Sequence, residues 1–104
     1  MDNGSLETKP MALHGRAVVR NPQGLHMRPA MAFAKIANRF RSAVTIRNQQ
    51  RTANGRSMVQ LMTLAALPGT ELVVEVDGDD AAAALPVLVA ALEAPSADAM
   101  PTNP

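Results

Sequence analysis

No cysteine, tryptophan or tyrosine occurs among the 104 residues, and only two phenylalanines do. Without cysteine there is no disulfide, no thiol nucleophile and no cysteine-ligated zinc, a composition that fits a reducing compartment. Two histidines are too few for a metal site, so no metal and no cofactor is expected. Hydrophobic residues make up 47% of the chain but aromatics only 2%, so the core must be assembled from Ala, Val, Leu, Ile and Met, with modest burial per residue. An excess of charge of one sign is also missing. Ten basic residues against nine acidic ones leave a net +1, which does not argue for a nucleic-acid partner. No apolar run approaches the ~20 residues of a membrane span, and the opening MDNGSLETKP lacks the apolar stretch of a secretory signal. No membrane insertion is expected, and the cytoplasm is the expected location.

A chain of this length has room for one small domain. Residues 1–12 and 94–104 are polar, proline-bearing and without periodicity, so they read as disordered extensions around a domain spanning 13–93. Met11 is a candidate biological start. Gly15 to Arg20 reads as a strand, and Asn21 to Gly24 as a turn. From Met27 to about Arg39, Ala30, Phe33, Ala34 and Ala37 mark one buried helical face, with Pro29 tolerated in the first turn. Ser42 to Arg47 is a second strand, Arg51 to Ala53 its short partner, and Glu71 to Val76 a half-buried strand with Leu72, Val74 and Val76 inward. Ser57 and Gln60 match a capping box opening a short helix to about Leu64. Asp79 or Asp80 would cap a last helix through Leu92, in which Pro86 predicts a kink or a later start. The order strand, helix, strand, strand, helix, strand, helix (βαββαβα) is that of an α+β open-faced two-layer sandwich around one antiparallel sheet.

The stretch Gly24-Leu25-His26-Met27-Arg28-Pro29-Ala30 carries the chemistry. It sets a neutral nitrogen nucleophile, His26, beside a guanidinium, Arg28, at the start of a helix whose unpaired amides favour anions. A phosphoryl group on imidazole would find its charge met by Arg28 with two donors. Gly24 lets the backbone turn sharply before the nucleophile. Taken singly, each residue has an ordinary reading: a solvated histidine, a surface arginine, a turn glycine, an N-cap serine at position 57. His14, in or before a strand, is assigned no role.

With these residues in this order, the chain resembles the HPr family of bacterial phosphocarriers from about Leu13 to Leu92. NPQGLHMRPA is similar to the family's active-site loop and helix start, and NGRSMVQLMTLAA to its regulatory serine segment. The resemblance implies a four-stranded antiparallel sheet covered on one face by three helices. It further implies a monomeric phosphocarrier of the phosphoenolpyruvate-dependent sugar phosphotransferase system, accepting phosphate from enzyme I on His26 and passing it to an EIIA-type acceptor. Such a protein is a covalent carrier rather than an independent turnover enzyme. Arg28 is the supporting cation, Gly24, Met27 and Pro29 shape the loop and helix start, and Ser57 is the site for a dedicated HPr serine kinase/phosphatase. Met27, Met31, Lys35, Met58, Val59 and Met62 form the implied docking surface. Here flexible thioethers can repack against several partners. Met27 and Gln60 depart from residues common at their positions, so partner preference is open. Two alternatives stand beside this reading: a mainly regulatory interaction module controlled through Ser57 with little transport flux, and a domain that binds an anion without covalent chemistry.

Overall fold

The computed structural model describes residues 12–101. Strands β1 (Ala12–Val18), β2 (Ala43–Asn48), β3 (Arg51–Asn54) and β4 (Glu71–Asp77) and helices α1 (Met27–Ala37), α2 (Met58–Met62) and α3 (Ala81–Leu92) follow one another in the order βαββαβα. The strands form one sheet in the order β1-β4-β2-β3, antiparallel throughout. This is the expected α+β sandwich. Period-two alternation puts Leu72, Val74 and Val76 of β4 inward, and register stacks Ala17 on Leu72, Ile46 on Val74 and Val44 on Val76. The helices cover that inner face. α1 contributes the stripe Ala30, Phe33, Ala34 and Ala37, α2 contributes Leu61, and α3 contributes Ala84, Leu88, Ala91 and Leu92. Gly15 allows α3 to sit close to β1, since a Cβ there would lie 3.2 Å from Leu85 Cδ1 and 3.3 Å from Val89 Cγ2.

Several expectations need correction. β1 starts at Ala12 and stops at Val18, earlier than the β-branched content around Val18 and Val19 suggested, because every residue from Ala12 onward has a partner on β4. α1 ends at Ala37, two residues short of the expected end. α3 starts at Ala81 and runs through Pro86 without the later start. Pro86 and Ala82, whose carbonyl loses its usual donor, are both exposed, so water can satisfy that group. The expected disorder of 94–104 fails for 94–101. A 3-10 turn (Ala97–Ala99), capped by the Ser96 hydroxyl, folds back beside α1, and Ala94 and Met100 are buried. Met100 supplied an apolar anchor that local polarity concealed. The expected extension lies outside the described residues up to residue 11, and residues 102–104 lie outside them as well.

Asp80 is the N-cap residue of α3, but its side chain makes no capping bond there. Its carboxylate instead accepts from the Arg41 amide at 2.7 Å, the Ser42 amide at 3.0 Å and the Ser42 hydroxyl. Those donors, the Ser42 hydroxyl foremost and the Arg41 amide next, hold its pKa below the ordinary 3.8. A lowered carboxylate pKa stabilises the fold above the unfolded-state value, and that contribution is lost as pH falls through the folded value. The stability gap between the wild-type protein and Asp80→Asn should therefore be constant above about pH 5 and close below 3.8, as read by denaturant melts across pH.

Candidate functional site

The loop between β1 and α1 is built by short-range bonds. Asn21 Oδ1 accepts from the Gln23 amide at 3.0 Å, and the Asn21 carbonyl accepts from the Gly24 amide at 2.9 Å. Gly24 then turns at φ +72°. Leu25 plugs into the core, and its amide donates to the Ala66 carbonyl at 2.9 Å. A Cβ on Gly24 would sit 2.5 Å from that same carbonyl oxygen, so the loop needs glycine for both conformation and space. The next residue, His26, is thereby held at the surface directly after a buried anchor.

His26 is the N-cap of α1, with extended φ −102° and ψ −156° and no capping bond from its side chain. An N-cap side chain normally accepts from the second or third helical amide. Here the third position is Pro29, which has no N–H, and the imidazole is left free for other work. No acidic residue occupies the first turn to offset the positive helix end. Gln23 Oε1 lies 2.7 Å from His26 Nε2. An acceptor there selects the Nε2–H tautomer and leaves Nδ1 as the nitrogen with a free lone pair. In the sequence Gln23 reads only as a turn residue, because nothing in its spacing reveals that its side chain folds back on the ring.

Arg28, two residues on, is largely exposed, and its Nη2 donates to Asp98 Oδ1 at 3.2 Å. Asp98 is not legible in the sequence, because the segment that carries it is polar, proline-bearing and without periodicity. Among the described residues no cluster of three potential metal-binding side chains exists, and no helix is long and apolar enough to cross a membrane.

Ser57 is the N-cap of α2, and its Oγ accepts from the Gln60 amide at 3.2 Å. The reciprocal half of the expected capping box is absent. Gln60 Oε1 accepts from the Asn54 amide at 2.9 Å instead, while the Ser57 amide donates to the Asn54 carbonyl. Arg56, the residue before Ser57, is engaged with α1 and β2 neighbours. Its Nε donates to Asn38 Oδ1 at 3.0 Å and its Nη1 to the Ser42 carbonyl at 3.3 Å, which ties the start of α2 to the end of α1.

Met27, Met31, Val59 and Met62 are exposed, with Met27 at 56% and Val59 at 66%, and Lys35 is exposed on α1. Met58 is only partly exposed and packs against the core, in contrast to the surface position expected for it. Leu67, not anticipated, is 68% exposed and lines a shallow cleft with His26, Leu25 and Met62. Helical periodicity could not find it because it lies in the loop after α2. Single exposed apolar residues are ordinary, but a group of them around one histidine is not.

The sequence model described as "PTS HPr component phosphorylation site" matches residues 13–94. The phosphocarrier protein HPr of Haemophilus influenzae is 42% identical over 67 residues, covering 64% of this chain and 79% of that protein. The phosphocarrier protein NPr of Proteus mirabilis is 31% identical over 84 residues, covering 80% and 93%. In structure, a crystallised phosphocarrier protein HPr from Bacillus anthracis is similar with a TM-score of 0.75 at 33% identity, over 79% of this chain and 98% of that one. A histidine held ready at a helix start, on this fold and within this match, leads to one assignment: the chain belongs to the HPr family of phosphocarriers.

Proposed function

We propose that His26 takes a phosphoryl group from phosphorylated enzyme I and passes it to an EIIA-type acceptor, as a monomer in the cytoplasm and without a cofactor. The contact of Gln23 with His26 Nε2 is the observation that carries this reading, because in the neutral ring it keeps the proton on Nε2 and leaves the Nδ1 lone pair free. The Nδ1 lone pair attacks phosphorus in the donor's phosphoimidazole. The new N–P bond forms as the donor's N–P bond breaks, and the donor ring keeps the electron pair and takes up a proton from solvent. His26 keeps its Nε2 proton on Gln23. The transferred group carries two negative charges, which Arg28 and the free first-turn amides of α1 would meet. Discharge to the acceptor is the same exchange in reverse.

Met27, Met31, Val59 and Met62, with Leu67, would dock both partners, and Lys35 would attract their acidic rims. Met58 would support that surface from beneath. Incubation of the full chain with phosphoenolpyruvate and enzyme I should yield one acid-labile phosphate, mapped by mass spectrometry to His26. A competent enzyme I that labels a control carrier but not this chain would overturn the assignment.

Ser57 is the proposed regulatory residue. Its hydroxyl is partly exposed and borders Met58 and Val59, so a phosphate there adds about two negative charges to an apolar docking surface. With Arg56 engaged elsewhere, nearby cationic compensation is weak. Ser57→Asp should keep the fold, since Asp also caps helices, while slowing phosphoryl uptake about tenfold in a stopped assay. Equal uptake rates would remove Ser57 as a brake.

A further inference from the structure

We propose that the segment from Pro95 to Pro101, beyond the matched family domain, is a built-in strap that holds Arg28 on Asp98 until the phosphoryl group claims it. This rests on the reading of His26 as the phosphoryl acceptor. The geometry has two parts, an anchor and a displaceable tip.

Met100 is the anchor. It is only 6% exposed and lies beside α1, lining a cleft with Ala32, Lys35 and Ile36 of that helix and with Arg39 just beyond its end. Together with the turn capped by Ser96, it fixes the strap along the flank of α1 that carries Ala32, Lys35 and Ile36. Asp98 is the tip. Its carboxylate is 85% exposed and makes one contact across the strap, to Arg28 Nη2 at 3.2 Å. A single exposed ion pair of this kind is weak and readily screened. The strap and the loop Asn21–Gln23 form the walls of a cleft of about 280 Å³, with Arg28 and Pro29 between them. One wall of this cleft, Pro95 to Asp98, lies beyond the matched residues 13–94.

The chemistry of the competition is unequal. A phosphoryl group offers three acceptor oxygens and close to two charges, whereas Asp98 offers one charge and a single hydrogen bond to Arg28. Phosphorylation of His26 should therefore draw Arg28 off Asp98, and the released carboxylate should be repelled from the new dianion. Before transfer, the order is reversed. Asp98 occupies the cation that the incoming group needs and adds a negative charge next to its path, so it slows loading. Met100 keeps that competitor at high local concentration.

Initial rates of phosphoryl uptake should be compared for the full chain and for Asp98→Asn, Met100→Ala and the double variant, with enzyme I and phosphoenolpyruvate. At low ionic strength, Asp98→Asn should load about two- to fivefold faster, the range spanned by one exposed ion pair. The advantage should vanish near 0.5 M salt, where such pairs are screened to about 4–5 Å. Met100→Ala should act in the same direction, and the double variant should be no faster than the faster single one. NMR should show the Asp98 and Ala99 amides shifting when wild-type His26 is phosphorylated. A rate equal to wild type, or a slower Asp98→Asn, would overturn the strap while leaving His26 as the acceptor. A wild-type chain that takes no label at all would bring down both.

Discussion

His26→Ala should take up no measurable phosphate from enzyme I while melting within a few degrees of the wild-type protein. The two halves of that result have separate causes. Chemically, the acceptor nitrogen is gone, and among the described residues the other imidazole, His14, stands on the outer face of β1 next to Glu75, away from any helix start. Transfer that depends on a positioned nucleophile does not fall by a modest factor when the nucleophile is removed, so the label should be lost entirely rather than reduced. Structurally, the imidazole makes one exposed hydrogen bond, to Gln23, and caps nothing. Its removal should cost no more than about 1 kcal/mol, and the Ala30 amide still donates to the residue 26 carbonyl. Thermal unfolding by circular dichroism and intact-mass analysis after incubation read the two halves independently. A His26→Ala protein labelled at the wild-type rate would place the acceptor elsewhere.

The parts of this molecule that were legible in the sequence are those in which chemistry and periodicity agree locally. Ala30, Phe33, Ala34 and Ala37 recur at helical spacing and are all buried, and Leu72, Val74 and Val76 alternate and are all buried. The order of seven elements follows from those patterns and from the turn residues between them. What was hidden depends on contacts between distant segments. β1 extends to Ala12 because β4 pairs with it, not because Ala12, Leu13 and His14 favour extended structure. Asp80 spends its carboxylate on residues 41 and 42, some 38 positions away, and no local rule for capping could foresee that. In the candidate site, His26, Arg28 and Gly24 could be read from a seven-residue string. Gln23 and Asp98 could not, since the first acts through side-chain direction and the second crosses 70 positions of sequence to reach Arg28.

Gly24→Ala should be the most damaging small substitution in the loop, destabilising the fold by about 2–3 kcal/mol and slowing phosphoryl uptake about tenfold to a hundredfold. Two effects add. At φ +72° a side chain is unfavourable by roughly 1–2 kcal/mol, and the new Cβ would lie 2.5 Å from the Ala66 carbonyl oxygen. That oxygen belongs to backbone and cannot swing aside like a flexible side chain. The loop must move, and the first bond lost is the one from the Leu25 amide to Ala66, at 2.9 Å, worth about 1 kcal/mol. The melting temperature of a domain this size should fall by roughly 10–20 °C. Activity falls for a different reason: Leu25 is the buried anchor next to His26, and an error of about 1 Å at a reacting atom can cost ~100-fold. Gly24→Asn separates the causes. Asparagine tolerates positive φ better than alanine but still carries a Cβ. If conformation alone mattered, Gly24→Asn would recover most of the stability and uptake. Because the carbonyl contact is set by the Cβ, Gly24→Asn should lose nearly as much as Gly24→Ala, and a variant that melts and loads like the wild-type protein would show that the close approach to Ala66 does not hold His26 in place.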